Sequence, residues 1–381
     1  MHISRLALDR FRSWNQCVLD LTSGVNVLMG ANGLGKTNIV EAVEVLSTGG
    51  SHRTSSSLPL IERGNTSAVI RANVEDKGRT TTYEVTIASR GANRGRINSG
   101  PSVYMRDIVG QVPCVAFTPD DQRMVTGDPA TRRGFLDQAG VLLIPGYAAL
   151  TQDLAKIGKQ RAALLKQLGD RQASSGFDGV PSMQDAVLAG LEIWTGQFIT
   201  VGVELTKRRR DVVAMLAEPF ARIYAELAGD TEQVALRYAP SFDEVLAFDD
   251  PAPHISEHFQ RIYPGEVARG VNLIGPQRDD LTLMLNEMNA REYASNGEMW
   301  TMALALKMAL LQTVASTTHT EPIVILDDVF AQLDEHRREQ IMRFAADQHQ
   351  VLITVAATSD MPEGLDAHVI DVASLRTEFD V

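Results

Sequence analysis

The chain has little cysteine and no obvious export or membrane signal. Cys17 and Cys114 are the only two cysteines among its 381 residues. They exclude a disulfide framework and offer no plausible metal site. We find no apolar run that we expect to span a bilayer, and the N-terminus enters strand-like sequence without a signal peptide. These absences favour a cytoplasmic protein with no membrane partner.

The chain also lacks an excess of positive charge. Its 36 basic and 48 acidic residues give a net charge of −12. This balance argues against a generally basic nucleic-acid coat, although it leaves room for a local basic patch. The length is more than one compact domain usually holds.

What the sequence does contain is a phosphate-binding loop. The loop and the residue after it are Gly30, Ala31, Asn32, Gly33, Leu34, Gly35, Lys36, Thr37 and Asn38. They match G-x-x-x-x-G-K-[ST], the Walker A pattern, between a strand-like run at 25–29 and a helical pattern at 38–46. The N–H groups of such a loop and the helix N-terminus bind phosphate. We expect Lys36 to hold the β- and γ-phosphates of a nucleoside triphosphate and Thr37 to bind Mg²⁺.

A second piece of the same kind of site follows a later strand. The apolar run 323–326 ends in Asp327-Asp328, which has the form of a Walker B strand. We expect Asp327 to hold Mg²⁺ opposite Thr37, and Asp328 to orient or deprotonate the attacking water. Alone, such a pair can be no more than an acidic cap at a strand end.

The third piece precedes a strongly apolar helix. Ser295-Asn296-Gly297-Glu298 makes a capping box in which Ser295 and Glu298 satisfy the helix N-terminus. In the functional interpretation, the helix N-terminus at Ser295 and Gly297 binds a γ-phosphate, which is held by a second copy of the chain if the site is composite across a dimer. Ser295 then joins Lys36 and Asp328 as a catalytic candidate.

Between the first piece and the others lies a predominantly helical region. Strand-like runs dominate residues 1–127 and 267–381, whereas residues 130–168 and 183–228 have helical spacing. The sequence therefore predicts an α/β head in two parts, 1–127 and 267–381, with a mostly α-helical arm domain at 128–266. Residues 91–100 are predicted to form a basic, glycine-rich loop.

The order of these pieces is Walker A, inserted helices, Ser-x-Gly-Glu, Walker B and then Leu333-Asp334. In this order and over essentially its whole length, the chain resembles the RecF family, within the SMC-like group of ABC-type P-loop ATPases. The phrases that carry the resemblance are LDRFRS at 8–13, GANGLGKTN at 30–38, SHR at 51–53, FTPDD at 117–121, RRGFLD at 132–137, GPQRDDL at 275–281, ASNG at 294–297 and LDDV at 326–329.

The resemblance implies a homodimer that closes on two ATP molecules with Mg²⁺, binds DNA when closed and opens on hydrolysis. It also implies recruitment to single-strand gaps and junctions of single- and double-stranded DNA, a RecR-like partner and support for loading of the RecA recombinase. Two departures from the family pattern are Gln277 in place of histidine and Met299-Trp300 after the signature. Because Asp328 is shorter than the glutamate of transporters, we expect slow, DNA-stimulated hydrolysis.

Three further residues are candidates around the nucleotide. Arg12 is expected to reach the phosphates, with a plain surface arginine as the alternative. Gln111 precedes a core strand and is a candidate Mg²⁺ sensor. Thr354 stands where transporters have a switch histidine, so that role is absent or altered here.

Two basic groups are candidate DNA contacts, in each case with a solvated surface as the alternative. They are Lys207, Arg208, Arg209 and Arg210 in the helical region, and Arg90, Arg94 and Arg96 in the glycine-rich stretch.

Two rival functions remain. A transport-coupled ABC subunit is disfavoured because the switch histidine is missing. A structural DNA clamp of the SMC type is disfavoured because no long heptad run is present.

Overall fold

The computed structural model describes residues 1–54, 56–173, 181–229, 232–330, 335–357 and 366–377. The strands are β1 (His2–Phe11), β2 (Trp14–Asp20), β3 (Gly24–Met29), β4 (Ser67–Asp76), β5 (Arg79–Ala88), β6 (Arg94–Ile97), β7 (Val103–Tyr104), β8 (Cys114–Phe117), β9 (Val234–Ala239), β10 (Asp280–Leu285), β11 (Met288–Asn289), β12 (Ile323–Asp327), β13 (Gln350–Val355) and β14 (Ala367–Asp371). The helices are α1 (Lys36–Thr48), α2 (Arg123–Thr126), α3 (Pro129–Leu143), α4 (Tyr147–Ala173), α5 (Pro181–Ala228), α6 (Glu244–Ala247), α7 (Ala252–Arg269), α8 (Ala290–Tyr293), α9 (Asn296–Thr318), α10 (Glu335–Ala346) and α11 (Ser374–Thr377). The predicted Leu333-Asp334 piece lies outside the described residues.

A parallel sheet forms the centre of the head. Its five strands run in the order β14-β3-β13-β12-β8, and every neighbouring pair is parallel. Alternate residues of these strands enter two separate cores: Val27 packs with α3, α5 and α9, whereas Leu28 packs with α1 and β1. Such two-sided burial is typical of parallel strands and explains their near-continuous apolar sequences.

An antiparallel sheet covers the α1 side of this centre. Its six strands run in the order β2-β1-β4-β5-β6-β7. Strand-like sequence is predicted throughout residues 1–127, and strands β1, β2, β4 and β5 of this sheet confirm it. The predicted loop at 91–100 is wrong in part, because residues 94–97 pair with β5 as strand β6. The alternating Arg-Gly-Arg-Ile sequence supports this pairing, since it presents both arginines on one face.

The helical region is an arm built mainly on α4 and α5, which pack against each other. The predicted helix over 130–168 is two helices, because α3 ends at Leu143 and α4 begins at Tyr147 after Pro145-Gly146. Strand β9, from the predicted arm, pairs with β10, from the predicted second part of the head. The arm and the head are therefore joined by a small sheet across the predicted boundary at 266.

Two helices are long and apolar enough to cross a membrane by length and composition, α9 and the Ala186–Ala228 part of α5. The prediction that the chain has no apolar run of this kind is therefore wrong by length and composition. Helix α9 is mostly buried within the protein, as core helices of globular proteins are. Its Met302, Leu306 and Leu310 lie in the core beside β8 and β12. One or two such helices are weak evidence for a membrane.

The basic run on α5 is divided by the packing of the arm. Arg209 is 3% exposed and forms ion pairs with Asp137 of α3 and Asp279 before β10, at 2.9 and 2.8 Å. Its guanidinium also donates to the Pro276 carbonyl at 2.6 Å. Arg209 as a DNA contact is therefore wrong, because it is a buried cation that ties α3, α5 and β10 together.

This buried network makes a prediction about stability. We expect Arg209→Leu to lower the free energy of unfolding by about 3–5 kcal/mol, because it leaves the fully buried Asp279 without its cation. Arg208→Leu is the matched control: Arg208 is exposed beside Glu204, and its loss should cost less than about 1 kcal/mol. Urea denaturation followed by circular dichroism measures both. Equal losses would contradict the structural role of Arg209.

Candidate nucleotide-binding site

The phosphate-binding loop joins β3 to α1 as the sequence predicts. Helix α1 begins at Lys36, and its N-cap Gly35 has φ +97°. Gly33 also has a positive φ, at +86°, a conformation that glycine adopts without steric cost. The Lys36 ammonium donates to the Gly30 and Ala31 carbonyls at 2.6 and 3.2 Å. The lysine side chain therefore folds back over its own loop. A phosphate bound in the loop can replace these carbonyls as the acceptor for the Lys36 ammonium.

The outer side of the loop is held by residues that the sequence did not indicate. The Trp14 indole donates to the Gly35 carbonyl at 3.1 Å. The Arg376 guanidinium, from α11, lies 4.8 Å from the centre of the Trp14 ring and donates to the Leu34 carbonyl at 3.2 Å. The two ends of the described chain thus support the loop together.

The Walker B carboxylate reaches the loop as expected. Asp327, at the end of β12, accepts hydrogen bonds on Oδ1 from the Thr37 hydroxyl at 3.1 Å and the Thr354 hydroxyl at 2.7 Å. Burial raises the pKa of Asp327 above its ordinary value, although both hydrogen bonds oppose the shift. A hydroxyl beside a carboxylate supplies the hard oxygen donors that Mg²⁺ prefers, so Thr37 and Asp327 fit the predicted metal.

The second Walker B carboxylate has a different environment. Asp328 is exposed, and its backbone lies in the left-handed region with φ +52°. Its N–H donates to the Thr354 hydroxyl at 2.9 Å. Aspartate tolerates this conformation better than most residues. The turn directs the chain out of the sheet directly after the buried Asp327.

Two carboxylates on α1 hold the basic side chains around the loop. Glu41 pairs with Arg12 and Arg53, and Glu44 pairs with His52 at 2.7 Å. Arg12 also donates to the Pro59 carbonyl, so its guanidinium is bonded to both Glu41 and Pro59. Contact of Arg12 with the phosphates stays a prediction. Burial lowers the pKa of His52, but the hydrogen bond to Glu44 and the negative charges of Glu44 and Asp121 together raise it above its ordinary value.

Gln111 does not lie where the predicted Mg²⁺ sensor must lie. It precedes β8, whose Cys114 pairs with Ile323 at the start of β12 and whose Phe117 pairs with Leu326 near its end. The strand from 114 to 117 is about 10 Å long, so Gln111 lies at the opposite edge of the sheet from Asp327. It donates instead to the Asp107 carbonyl at 3.4 Å. This prediction is wrong because parallel strands present only their carboxyl ends to the site.

Ser295 is the N-cap of α9 and forms the expected capping box with Glu298. Ser295 is exposed, and Gly297 is half-buried. Met299 and Trp300 enter the core, which explains why apolar residues occupy this turn. About 18 Å of helix separates Ser295 from Lys307, whose ammonium donates to the Ala116 carbonyl of β8. The exposed end of α9 that carries the cap therefore lies about 18 Å along the helix from the part of α9 that contacts β8.

The other candidate DNA contacts differ in exposure. Arg208 and Arg210 are exposed and pair with Glu204 and Asp211, whereas Lys207 is half-buried. Arg90, Arg94 and Arg96 are exposed. The Arg94 guanidinium lies 4.3 Å from the centre of the Tyr104 ring.

Comparison with known proteins agrees with this geometry. The model of the RecF/RecN/SMC N-terminal domain family matches residues 2–377. The chain belongs to the RecF family of DNA replication and repair proteins.

The relatives and solved structures give the extent of this similarity. The chain is 69% identical to DNA replication and repair protein RecF of Bifidobacterium adolescentis, over 99% of this chain and 93% of the relative. It is 66% identical to that of Bifidobacterium longum subsp. infantis, over 98% and 90%. A solved structure of the recombination mediator protein RecF-ATPrS in the RecFOR pathway matches with a TM-score of 0.83 and 24% identity, over 97% of this chain and 96% of that chain. The family and the SMC-like, ABC-type fold predicted from the sequence are confirmed.

The contact between Gly35 and Trp14 makes a prediction about nucleotide binding. A Cβ atom on Gly35 would lie 2.7 Å from the Trp14 indole nitrogen, at φ +97°. We therefore expect Gly35→Ala to weaken binding of a fluorescent ATP analogue at least about tenfold, because the loop must move. Gly24→Ala is the control, since Gly24 has φ +81° but open space around it. Unchanged affinity in Gly35→Ala would show that the loop does not need this close approach.

Proposed function

We propose that this chain is a cytoplasmic, ATP-dependent DNA-binding switch of recombinational repair and replication. Two copies bind ATP and Mg²⁺ and close on gapped or junction DNA, and slow hydrolysis releases them. The observation that carries the proposal is the bond of Thr37 to Asp327, 290 residues away, beside Lys36 on its loop. These groups are the phosphate- and metal-binding parts of a nucleotide-driven ATPase.

In this proposal a second copy completes the site, because the composite site pairs the loop of one chain with the cap of another. Within one chain, the loop at 30–37 leads into α1, whereas the exposed Ser295 cap begins α9 and has its hydrogen bonds to Glu298. An exposed helix N-terminus with a small hydroxyl residue suits an anionic phosphate. ATP bound to the loop of one copy would therefore be covered by Ser295 and Gly297 of the other.

The reaction chemistry follows from the residues at the end of β12. Bound Mg²⁺ would neutralise charge on the phosphates, with Thr37 and Asp327 as its protein ligands. Asp328 is the general-base candidate, because it is exposed next to the buried Asp327. Its short side chain favours slow turnover, which suits a switch better than a pump.

DNA and protein partners are proposed from family membership. The similar Bifidobacterium proteins are DNA replication and repair proteins, which supports the same processes for this chain. The similar solved structure is that of a recombination mediator protein in the RecFOR pathway, which supports a RecR-like partner and RecA loading. For the DNA contact, exposed Arg90, Arg94, Arg96, Arg208 and Arg210 are the candidates that remain, with the half-buried Lys207.

The composite site is tested by mixing two inactive variants. Lys36→Ala disables the loop and Ser295→Arg blocks the cap, so each variant alone should lack ATP hydrolysis. In a mixed dimer, one site combines an intact Lys36 with an intact Ser295 from the other copy. Mixing equal amounts should then restore hydrolysis to at most about half of the wild-type rate, because a mixed dimer has one complete site of two. No restoration on mixing would contradict a site shared between two copies.

Asp328→Asn separates binding from hydrolysis. Asparagine accepts the left-handed backbone that Asp328 adopts, so the fold should be kept while the carboxylate is lost. We expect ATP-dependent dimerisation in light scattering and DNA retention to persist, with hydrolysis reduced about 100-fold or more. Lys36→Ala is the comparison that should lose dimerisation, retention and hydrolysis together. Wild-type hydrolysis in Asp328→Asn would exclude its proposed role.

A further inference from the structure

A single buried hydroxyl touches both Walker B carboxylate residues. Thr354 is 1% exposed and lies near the end of β13, between β3 and β12. Its hydroxyl donates to Asp327 Oδ1 at 2.7 Å and accepts from the Asp328 N–H at 2.9 Å. One proton and one lone pair of the hydroxyl are therefore used on adjacent residues.

The register explains how this position can do so. Thr354 pairs with Asp327 on β12 and with Leu28 on β3. It is thus the residue of β13 that lies beside the candidate metal-binding carboxylate and opposite a β3 residue two positions before Gly30 of the phosphate-binding loop. The Thr37 hydroxyl donates to the same oxygen, Asp327 Oδ1. The two hydroxyls together set the direction of the carboxylate and leave its second oxygen, Oδ2, without a bond to either of them.

The bond to Asp328 has a separate effect on the backbone. Asp328 has φ +52°, a conformation that costs about 1 kcal/mol or more for a residue with a side chain. Its N–H bonds to the Thr354 side chain instead of a strand partner. The hydroxyl therefore holds the turn that carries the exposed Asp328 carboxylate out of the sheet.

We propose that Thr354 is a positioning residue that fixes Asp327 and Asp328 relative to each other for hydrolysis. It acts through both carboxylates and does not itself touch the nucleotide. This inference rests on the proposed ATPase function and adds a role for a residue of β13. Serine can supply the same donor and acceptor, whereas valine has the same shape but neither.

The test compares Thr354→Val with Thr354→Ser in the full chain. We expect the valine variant to lose about tenfold or more in kcat, because a buried donor and the carboxylate lose their partner. KM for ATP should stay within about twofold, because Lys36 and the loop are unchanged. The serine variant should recover most of kcat. A kcat within about twofold of wild type in Thr354→Val, or no recovery in Thr354→Ser, would overturn the proposal.

Two further measurements distinguish positioning from a general packing defect. ATP-dependent dimerisation and DNA retention should persist in Thr354→Val, since they precede hydrolysis, and their loss would also overturn the proposal. Thr313→Val is the matched control: Thr313 is a buried threonine whose hydroxyl bonds the Ala309 carbonyl within α9. Its thermal melt reports the cost of losing a buried hydroxyl, and its kcat should stay unchanged.

The wild-type protein separates failure of this inference from failure of the proposed function. If wild type neither dimerises nor retains DNA with ATP and Mg²⁺, the proposed function fails and the role of Thr354 falls with it. If wild type does both and Thr354→Val hydrolyses ATP normally, only the role of Thr354 is wrong. If the valine variant fails to fold, the serine variant decides the question. A folded Thr354→Ser that hydrolyses ATP well below the wild-type rate would then overturn the proposal.

Discussion

The hydrogen bond between the Thr37 hydroxyl and the Asp327 carboxylate is the contact on which the site depends. It joins residues 290 apart in sequence because β3 and β12 are parallel strands on either side of β13. Parallel strands place their carboxyl ends at one edge of a sheet, so a loop after β3 and an acid at the end of β12 meet there. The two cores on either face of the sheet hold this strand order.

The arm is connected to this edge through one turn of α3. Gln138 donates to Glu44 of α1 at 2.8 Å, and the preceding residue, Asp137, accepts from Arg209 of α5 at 2.9 Å. Adjacent residues of a helix move together, so α1 and α5 cannot shift independently without breaking one of these contacts. The helix that begins at the phosphate-binding loop and the long arm helix are thereby linked through adjacent residues of α3.

Much of the site could be predicted from the sequence because its parts are local. The loop at 30–37 needs only a strand before it, glycines within it and a helix after it, and all three are read within about 20 residues. Ser295 and Glu298 are likewise a local pair, and their capping box is present in the structure. The apolar run before Asp327 predicted a buried strand for the same reason, and β12 is buried along its whole length.

The features that were missed depend on partners distant in sequence. The run 207–210 looks uniform, yet only Arg209 lies on the α5 face that meets Asp137 and Asp279, 72 and 70 residues away. Thr354 stands out in the sequence only for the histidine that it replaces, whereas the role proposed for it comes from β13 lying beside β12. Gln111 was misplaced because a residue number relative to a strand does not say which edge of the sheet it reaches. Helix packing decides the first case, strand order the second and strand direction the third, and a single sequence carries no direct signal for any of them. The same limit applies between chains: Ser295 is recognisable as a cap from four residues, but the loop that it would cover belongs to another copy.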